Sequence, residues 1–212
     1  MKKYHKYIFD QEKRSFVGDF EKMYQDESKD RFDGWHQEDT RQLNREIALS
    51  MLKGWNFNSI LDIGCGKGVL THVLKKRNNR ILGIDISETA VENARSRYPD
   101  IDFDVADITT LNVLVDCLKK AKEPGEKFVD LVFTSETLSY LENWEDILST
   151  IGIHTQYLLI SLFVPEDPIG FVKSPESLKK VVSENFEILE TVILEKSKFI
   201  AIFARRKIDI EE

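Results

Sequence analysis

Between residues 58 and 164, short apolar runs of strand type alternate with stretches whose apolar residues recur at helical spacing. The strand candidates are 58–63, 80–85, 101–105, 128–134 and 156–164. Between them lie four helical patterns, carried by Val69, Leu70, Val73 and Leu74, by Ala90, Val91 and Ala94, by Leu111, Leu114, Val115 and Leu118, and by Trp144, Ile147, Leu148 and Ile151. Such alternation predicts parallel strands with helices on both faces, because right-handed crossovers place them there. A fifth helix is expected over 174–185, where Ser174-Pro175 and Glu176 form an N-terminal signal. The runs Phe186 to Leu194 and Phe199 to Arg206 are separated only by Glu195-Lys196-Ser197-Lys198, too short for a crossover helix. They must form an antiparallel hairpin. The predicted fold is α/β and doubly wound: a seven-stranded, mostly parallel sheet with one antiparallel strand at its end.

Residues 1–38 are charged and aromatic but poor in aliphatics, with Tyr7, Phe9, Phe16, Phe20, Tyr24, Phe32 and Trp35 among them. Phe16, Phe20, Met23 and Tyr24 predict an amphipathic helix around 11–27. It is too thin to form a core alone and reads as a flap packed on a larger domain. Asp39 or Thr40 is expected to cap a second helix whose apolar positions Leu43, Ile47 and Met51 share a face, with Gly54 at its end. The expected division is therefore 1–55 as an N-terminal helical flap and 56–212 as the main domain.

Composition limits the partners. A net charge of −7 argues against a nucleic-acid partner, which calls for clustered Lys and Arg. Cys65 and Cys117 lack metal-ligand spacing and are too few for a disulfide framework, which suits a reducing, cytoplasmic setting. No run approaches the roughly 18 apolar residues of a membrane span. Oligomeric state is not readable from the chain.

The stretch Ser59-Ile60-Leu61-Asp62-Ile63-Gly64-Cys65-Gly66-Lys67-Gly68 runs a buried strand into a glycine turn at the start of a helix. That is a nucleotide-binding element. Its third glycine comes one residue earlier than in the dinucleotide fingerprint G-x-G-x-x-G. Asp85 ends the second strand, Asp107 follows the third, and Thr134-Ser135-Glu136-Thr137-Leu138 closes the fourth. All lie at carboxyl ends of parallel strands, where ligands bind in open sheets. Each Asp alone is equally a turn former or cap.

Over roughly 40–206, terminal hairpin included, the chain resembles the class I S-adenosylmethionine-dependent methyltransferases, which have a Rossmann-like fold. The resemblance implies S-adenosyl-L-methionine as cofactor. It matches Asp62, Gly64, Cys65, Gly66 and Gly68 to the family's glycine-rich loop, Asp85 to its ribose acid and Asp107 to its adenine-side acid. Ile86 and Ile108 match the apolar residues around the adenine, and Ser135 opens the segment after the fourth strand.

The acceptor is approached by elimination. Thr134-Ser135-Glu136-Thr137 is not the [DN]-P-P-[YFW] motif of exocyclic-amine nucleic-acid enzymes, and neither cysteine has the neighbouring Pro of the cytosine C5 enzymes. Glu136 alone is insufficient for the magnesium site of catechol-type enzymes, so no metal is expected. Residues 135–141 look like the corresponding segment of small-molecule methyltransferases. The variants they are most similar to are chitooligosaccharide N-methyltransferases and O-methyltransferases of bacterial capsule and lipopolysaccharide gene clusters. The string Phe20-Glu21-x-Met23-Tyr24, followed by Phe32-Asp33-x-Trp35-His36-Gln37, is like the latter. The resemblance implies O-methylation of a sugar or nucleotide-linked sugar in surface polysaccharide biosynthesis. Alternatives are N-methylation of an amine or amino sugar, or cofactor binding without chemistry. A histidine titrating near neutrality suits the base role, so His36 and Glu136 are the catalytic candidates, with His154 a weaker one. Tyr24, Trp35 and Tyr140 are candidate acceptor contacts. His72 reads as structural. A diphosphate-linked acceptor would need a cation nearby, and Arg205-Arg206 ends the last strand.

Overall fold

A computed structural model describes residues 5–30, 32–39 and 41–207. The chain opens with α1 (His5–Ile8) and a minimal hairpin of β1 (Phe9–Asp10) and β2 (Ser15–Phe16), followed by α2 (Phe20–Asp30) and α3 (Leu43–Met51). The alternating body then runs β3 (Ser59–Ile63), α4 (Val69–Leu74), β4 (Arg80–Asp85), α5 (Glu88–Arg97), β5 (Asp102–Val105), α6 (Leu111–Ala121), β6 (Val129–Ser135), α7 (Trp144–His154) and β7 (Thr155–Phe163). It closes with α8 (Pro175–Asn185), β8 (Phe186–Leu194) and β9 (Phe199–Arg206). Among the described residues no helix is long and apolar enough to cross a membrane.

The main sheet has the order β5-β4-β3-β6-β7-β9-β8. β9 alone runs against its neighbours, pairing antiparallel with both β7 and β8. The antiparallel strand is therefore second from the edge rather than at the end of the sheet. Burial explains the difference: β9 is buried from Phe199 through Ala204, whereas β8 exposes much of its length and suits an edge. Alternate residues of the strands feed two cores. One lies against α6, α7 and α8 and includes Leu61, Leu82, Val132, Leu158 and Ile202. The other includes Ile60, Leu131, Phe133, Leu159 and Phe203, and Ala48 and Met51 of α3 pack into it. The strand order reverses between β3 and β6, which opens a crevice at their carboxyl ends.

The N-terminal region departs from expectation in three ways. The helix predicted over 11–27 is instead the β1–β2 hairpin followed by α2. Asp10 Oδ1 accepts the amides of Glu12 and Lys13, Arg14 adopts a left-handed conformation (φ 50°), and Gly18 (φ 70°) separates the hairpin from the helix. Helix α3 begins without a side-chain cap, on Gln42; Asp39 instead caps a local turn through the Arg41 amide, and Thr40 lies outside the described residues. Its buried face is Arg45, Ala48 and Met51, while Leu43 is 58% exposed. Arg45 turns the helix this way because its guanidinium donates to the carbonyls of Trp35, His36 and Asp39, tying the loop before α3 to the helix.

Candidate functional site

The loop after β3 sits at the crevice, as a strand-to-helix turn must. Gly64 (φ 74°) and Gly66 (φ 52°) are both left-handed, and neither has room for a side chain. A Cβ on Gly64 would lie 1.9 Å from Thr137 Oγ1. One on Gly66 would lie 2.5 Å from Gln37 Oε1 and 2.7 Å from the Tyr24 hydroxyl. The loop is thus floored by the segment after β6 and roofed by the N-terminal flap.

Two acids stand beneath it. Asp62 is almost wholly buried and accepts from Thr71 Oγ1 at 2.6 Å; burial pushes its carboxyl up to about 7. Asp85 accepts the Gly66 amide on one oxygen at 2.9 Å and the Ser87 amide on the other at 3.0 Å. Burial raises its pKa despite those bonds. The residue lines the cavity. Ile86 beside it is 47% exposed, an apolar side chain presented at a polar strand end, while Ile108 is buried below. Asp107 is on the cavity wall, but its Oδ1 accepts from the Thr109 amide and hydroxyl, so it also builds its own turn.

The cavity has a volume of about 830 Å³ and continues from this loop to the flap. Its far wall is aromatic. Tyr140 packs against Phe9, Phe16 and Phe20 at centroid distances of 5.9, 6.2 and 5.3 Å, and Trp35 lies between Phe20 and Tyr24. Glu136 adopts φ 61° and points its carboxylate at Asn44 Nδ2 (3.2 Å) and the Phe163 amide (2.8 Å). His36 adopts φ 52° on the rim. With Arg14 (φ 50°) of the hairpin, three non-glycine residues in left-handed conformations thus face one cavity, the kind of strain that gathers at functional sites. Arg14 reaches from the hairpin to Asp167 at 2.6 Å across the mouth.

The flap is held down by charge. Lys67 Nζ lies 2.6 Å from Glu27, 3.3 Å from Asp33 and 3.6 Å from Glu38, and its amide donates to Gln37 Oε1. On the same helix as Glu27, Glu21 accepts from the Ser87 hydroxyl and from the amide and hydroxyl of Thr89 at the start of α5.

Cavity walls therefore contain Asp62, Gly64, Cys65, Asp85, Ile86, Asp107, Ile108, Ser135, Glu136, His36, Trp35, Tyr24 and Tyr140. Gly66 and Gly68 shape the loop behind it; Gly68 (φ 76°) precedes α4. Tyr24 stands over the glycine loop and is linked to Tyr140 through the rings of Trp35 and Phe20. His154 ends α7 ahead of β7, and Arg205-Arg206 lie beside that same amino end of β7, far from the strand ends that carry the site. No cation there serves the cavity. His72 stacks on Tyr98 at 4.4 Å, a packing role. Phe9, Gln37, Asn44 and Arg45 join the site without having been predicted. Asn44 and Arg45 were hidden because their helix was given the wrong buried face, and Gln37 because its contact is with a backbone amide.

The family described as a methyltransferase domain matches residues 61–155. Human (Homo sapiens) tRNA (uracil-5-)-methyltransferase homolog B is 28% identical over 151 residues, 68% of this chain and 30% of that protein. Trans-aconitate 2-methyltransferase of Delftia acidovorans is 30% identical over 91 residues, 42% of this chain and 31% of that protein. The chain thus spans about three-tenths of the length of these curated relatives. Among solved structures, the N-methyltransferase NodS from Bradyrhizobium japonicum WM9, in complex with S-adenosyl-L-homocysteine, superposes with a TM-score of 0.65 at 18% identity. That match covers 87% of this chain and 98% of that one. The likeness is one of fold, the Rossmann-like class I methyltransferase fold.

Proposed function

We propose that this chain is an S-adenosylmethionine-dependent methyltransferase acting in the cytoplasm on a small molecule, and that its acceptor is a hydroxyl of a sugar or nucleotide-linked sugar used in surface polysaccharide synthesis. The observation that carries the reading is one continuous cavity with acids and a glycine cradle at one end and aromatic rings beside a carboxylate at the other.

The residues present fit the cofactor. Asp85 presents its carboxylate to the cavity at a strand end, which suits the hydroxyls of a ribose. Ile86 and Ile108 supply apolar contacts at the next strand ends, Asp107 an acceptor for an amino group, and Ser135 a hydroxyl beside them. Gly64 and Gly66 allow backbone approach. When bound, S-adenosylmethionine supplies an electrophilic methyl group on a sulfonium. The protein must then hold the acceptor in line and remove its proton.

Trp35 and Tyr140 offer aromatic faces to the apolar side of a sugar ring. His36 takes the hydroxyl proton from the rim. Glu136, fixed by Asn44 and the Phe163 amide, is already hydrogen-bonded on both oxygens and serves to orient a neighbouring hydroxyl. A second reading, N-methylation of an amine or amino sugar, is favoured by the same aromatic wall, since ring faces attract an ammonium and Glu136 balances its charge.

The test is incubation with radiolabelled S-adenosylmethionine and a panel of nucleotide-linked sugars, free sugars, amines and a tRNA pool. Transfer to a sugar hydroxyl is expected. Transfer to amines alone selects the second reading, transfer only to tRNA overturns the small-molecule acceptor, and binding without any transfer leaves a non-catalytic cofactor-binding protein.

A further inference from the structure

Among the described residues, the cavity is lined by two side chains of permanent positive charge, Arg14 and Arg45. Arg45 is buried and spends both terminal nitrogens on the carbonyls of Trp35, His36 and Asp39. Arg14 is far less committed. Its Nη2 donates to Asp167 Oδ1 at 2.6 Å and, at 3.5 Å, to the Asp167 carbonyl, while among the described residues nothing accepts from its Nε or Nη1. Most of the guanidinium fork is therefore left for a second partner. The Arg14 side chain is 50% exposed and that of Asp167 81%, and an exposed pair of this kind adds little to stability. Two features set Arg14 apart from an ordinary solvated arginine. Its left-handed backbone closes a turn that Asp10 opens, which fixes where the side chain leaves the hairpin. It also lies on the chain just ahead of Phe16, whose ring packs on Tyr140 and Phe171, so the charge is anchored beside the aromatic wall. The facing loop is fixed as well, since the Phe171 amide donates to the Ser139 carbonyl at 2.8 Å.

Asp167 neutralises Arg14, so an incoming anion must displace it. That exchange is cheap, because the exposed Asp167 carboxylate can turn to water, whereas a phosphate matches the planar fork of arginine with two parallel hydrogen bonds. Other acids around the mouth are engaged elsewhere: Asp10 with the amides of Glu12 and Lys13, Glu166 with Lys198, and Glu136 with Asn44 and the Phe163 amide. We propose that Arg14 is a phosphate subsite for the acceptor, with the sugar inside against Phe16 and Tyr140 and its phosphate held at the mouth in exchange for Asp167. The proposal rests on the sugar reading and narrows it to a phosphorylated sugar, whether a sugar phosphate or a nucleotide-linked sugar, over a free one.

Calorimetry on the full chain, saturated with S-adenosylhomocysteine, tests this with a panel of hexose 1-phosphates, their nucleotide-linked forms and the uncharged methyl glycosides of the same hexoses. A phosphorylated member is expected to bind about tenfold or more tighter than its matching glycoside, the worth of a hydrogen bond between charged groups. Arg14→Met should abolish that preference. Asp167→Asn, which keeps the shape and removes the competing charge, should tighten the phosphorylated members by about two- to fivefold, the worth of an exposed pair. Unchanged S-adenosylhomocysteine affinity in both variants reports an intact fold. Equal binding of a hexose 1-phosphate and its nucleotide-linked form assigns the subsite to the phosphate next to the sugar, and binding of the nucleotide-linked form alone assigns it to the diphosphate. No binding by any phosphorylated member, a preference that survives Arg14→Met, or weaker binding in Asp167→Asn overturns the subsite. Methyl transfer to sugars without such a preference overturns the subsite and leaves the sugar reading standing, whereas transfer only to amines or tRNA overturns the sugar reading and the subsite with it.

Discussion

Replacing Lys67 with methionine keeps an unbranched side chain and deletes the charge that pins the flap. Lys67 is 15% exposed at its side chain and Glu27 only 5%, with 2.6 Å between nitrogen and oxygen. In the variant the Glu27 carboxylate retains the Gly34 amide at 3.2 Å but loses its cation, as does Asp33, while Glu38 keeps Arg97 at 2.6 Å. Removing one partner of a buried pair costs about 3–5 kcal/mol, because the other charge is left without compensation. For a chain of this size about 3 kcal/mol lowers Tm by about 6–12 °C if the flap and sheet unfold together. If the flap lifts alone, the loss appears instead as faster amide exchange across α2. Thermal unfolding monitored with hydrogen exchange separates the two. The double variant Lys67→Met with Glu27→Met should regain most of the loss, since an apolar pair can replace a buried ion pair. The pH range follows from the same groups. Burial works to lower the Lys67 pKa, but the hydrogen bond and charge of Glu27 outweigh it, so its contribution fades only as pH rises through that raised value. Asp33 and Glu38 are lowered, Asp33 by amide bonds that outweigh its burial and Glu38 chiefly by its bond to Arg97, so their contribution fades as pH falls through the acid range. A single variant with unchanged Tm and unchanged exchange at neutral pH refutes the latch.

Other outcomes are equally specific. Gly64→Ala forces a Cβ to 1.9 Å from Thr137 Oγ1 at a left-handed position, so a loss of about 2–4 kcal/mol in urea unfolding is expected, with weaker nucleoside binding. Asp62 has a folded-state pKa of about 7 against an ordinary 3.8, so the stability it confers is fully present below the ordinary value and is lost as pH rises to about 7. That change is on the order of 4 kcal/mol. Asp62→Asn, which keeps an acceptor for Thr71, should therefore gain on the wild type between about pH 4 and about pH 8 in urea midpoints. His36→Ala should lower turnover by about two orders of magnitude, the usual general-base contribution, with S-adenosylhomocysteine affinity unchanged. Near-normal turnover removes His36 from the chemistry.

The sheet was legible because its strands are short apolar runs separated by helical patterns, and because four residues between Leu194 and Phe199 leave only a hairpin. The place of β9 required reading its burial on both faces, which becomes meaningful only once β7 and β8 are known to flank it. Flap geometry was not legible. Phe20 and Tyr24 do share helix α2, but Phe16 fits their period by coincidence, and the decisive residues were Asp10 and Gly18, which open the hairpin turn and separate the hairpin from the helix. Arg45 was beyond reach because a buried arginine paired with backbone carbonyls leaves no side-chain partner to recognise. Residues lining the glycine loop were found because the chemistry of strand ends constrains them. Tyr24 lines the cavity as expected of a site residue, and no spacing rule tells which part of a cavity a flap will cover.

The left-handed backbones of His36 and Glu136 carry a consequence for anyone who evolves this protein toward heat resistance. Such conformations cost about 1–3 kcal/mol each in residues with a Cβ. Glycine or asparagine would adopt them with less strain. Selection for survival at high temperature alone should therefore enrich Gly or Asn at positions 36 and 136. Each such gain would remove an imidazole or a carboxylate from the cavity wall. On the roles proposed for His36 and Glu136, selection for stability and turnover together should keep the native pair.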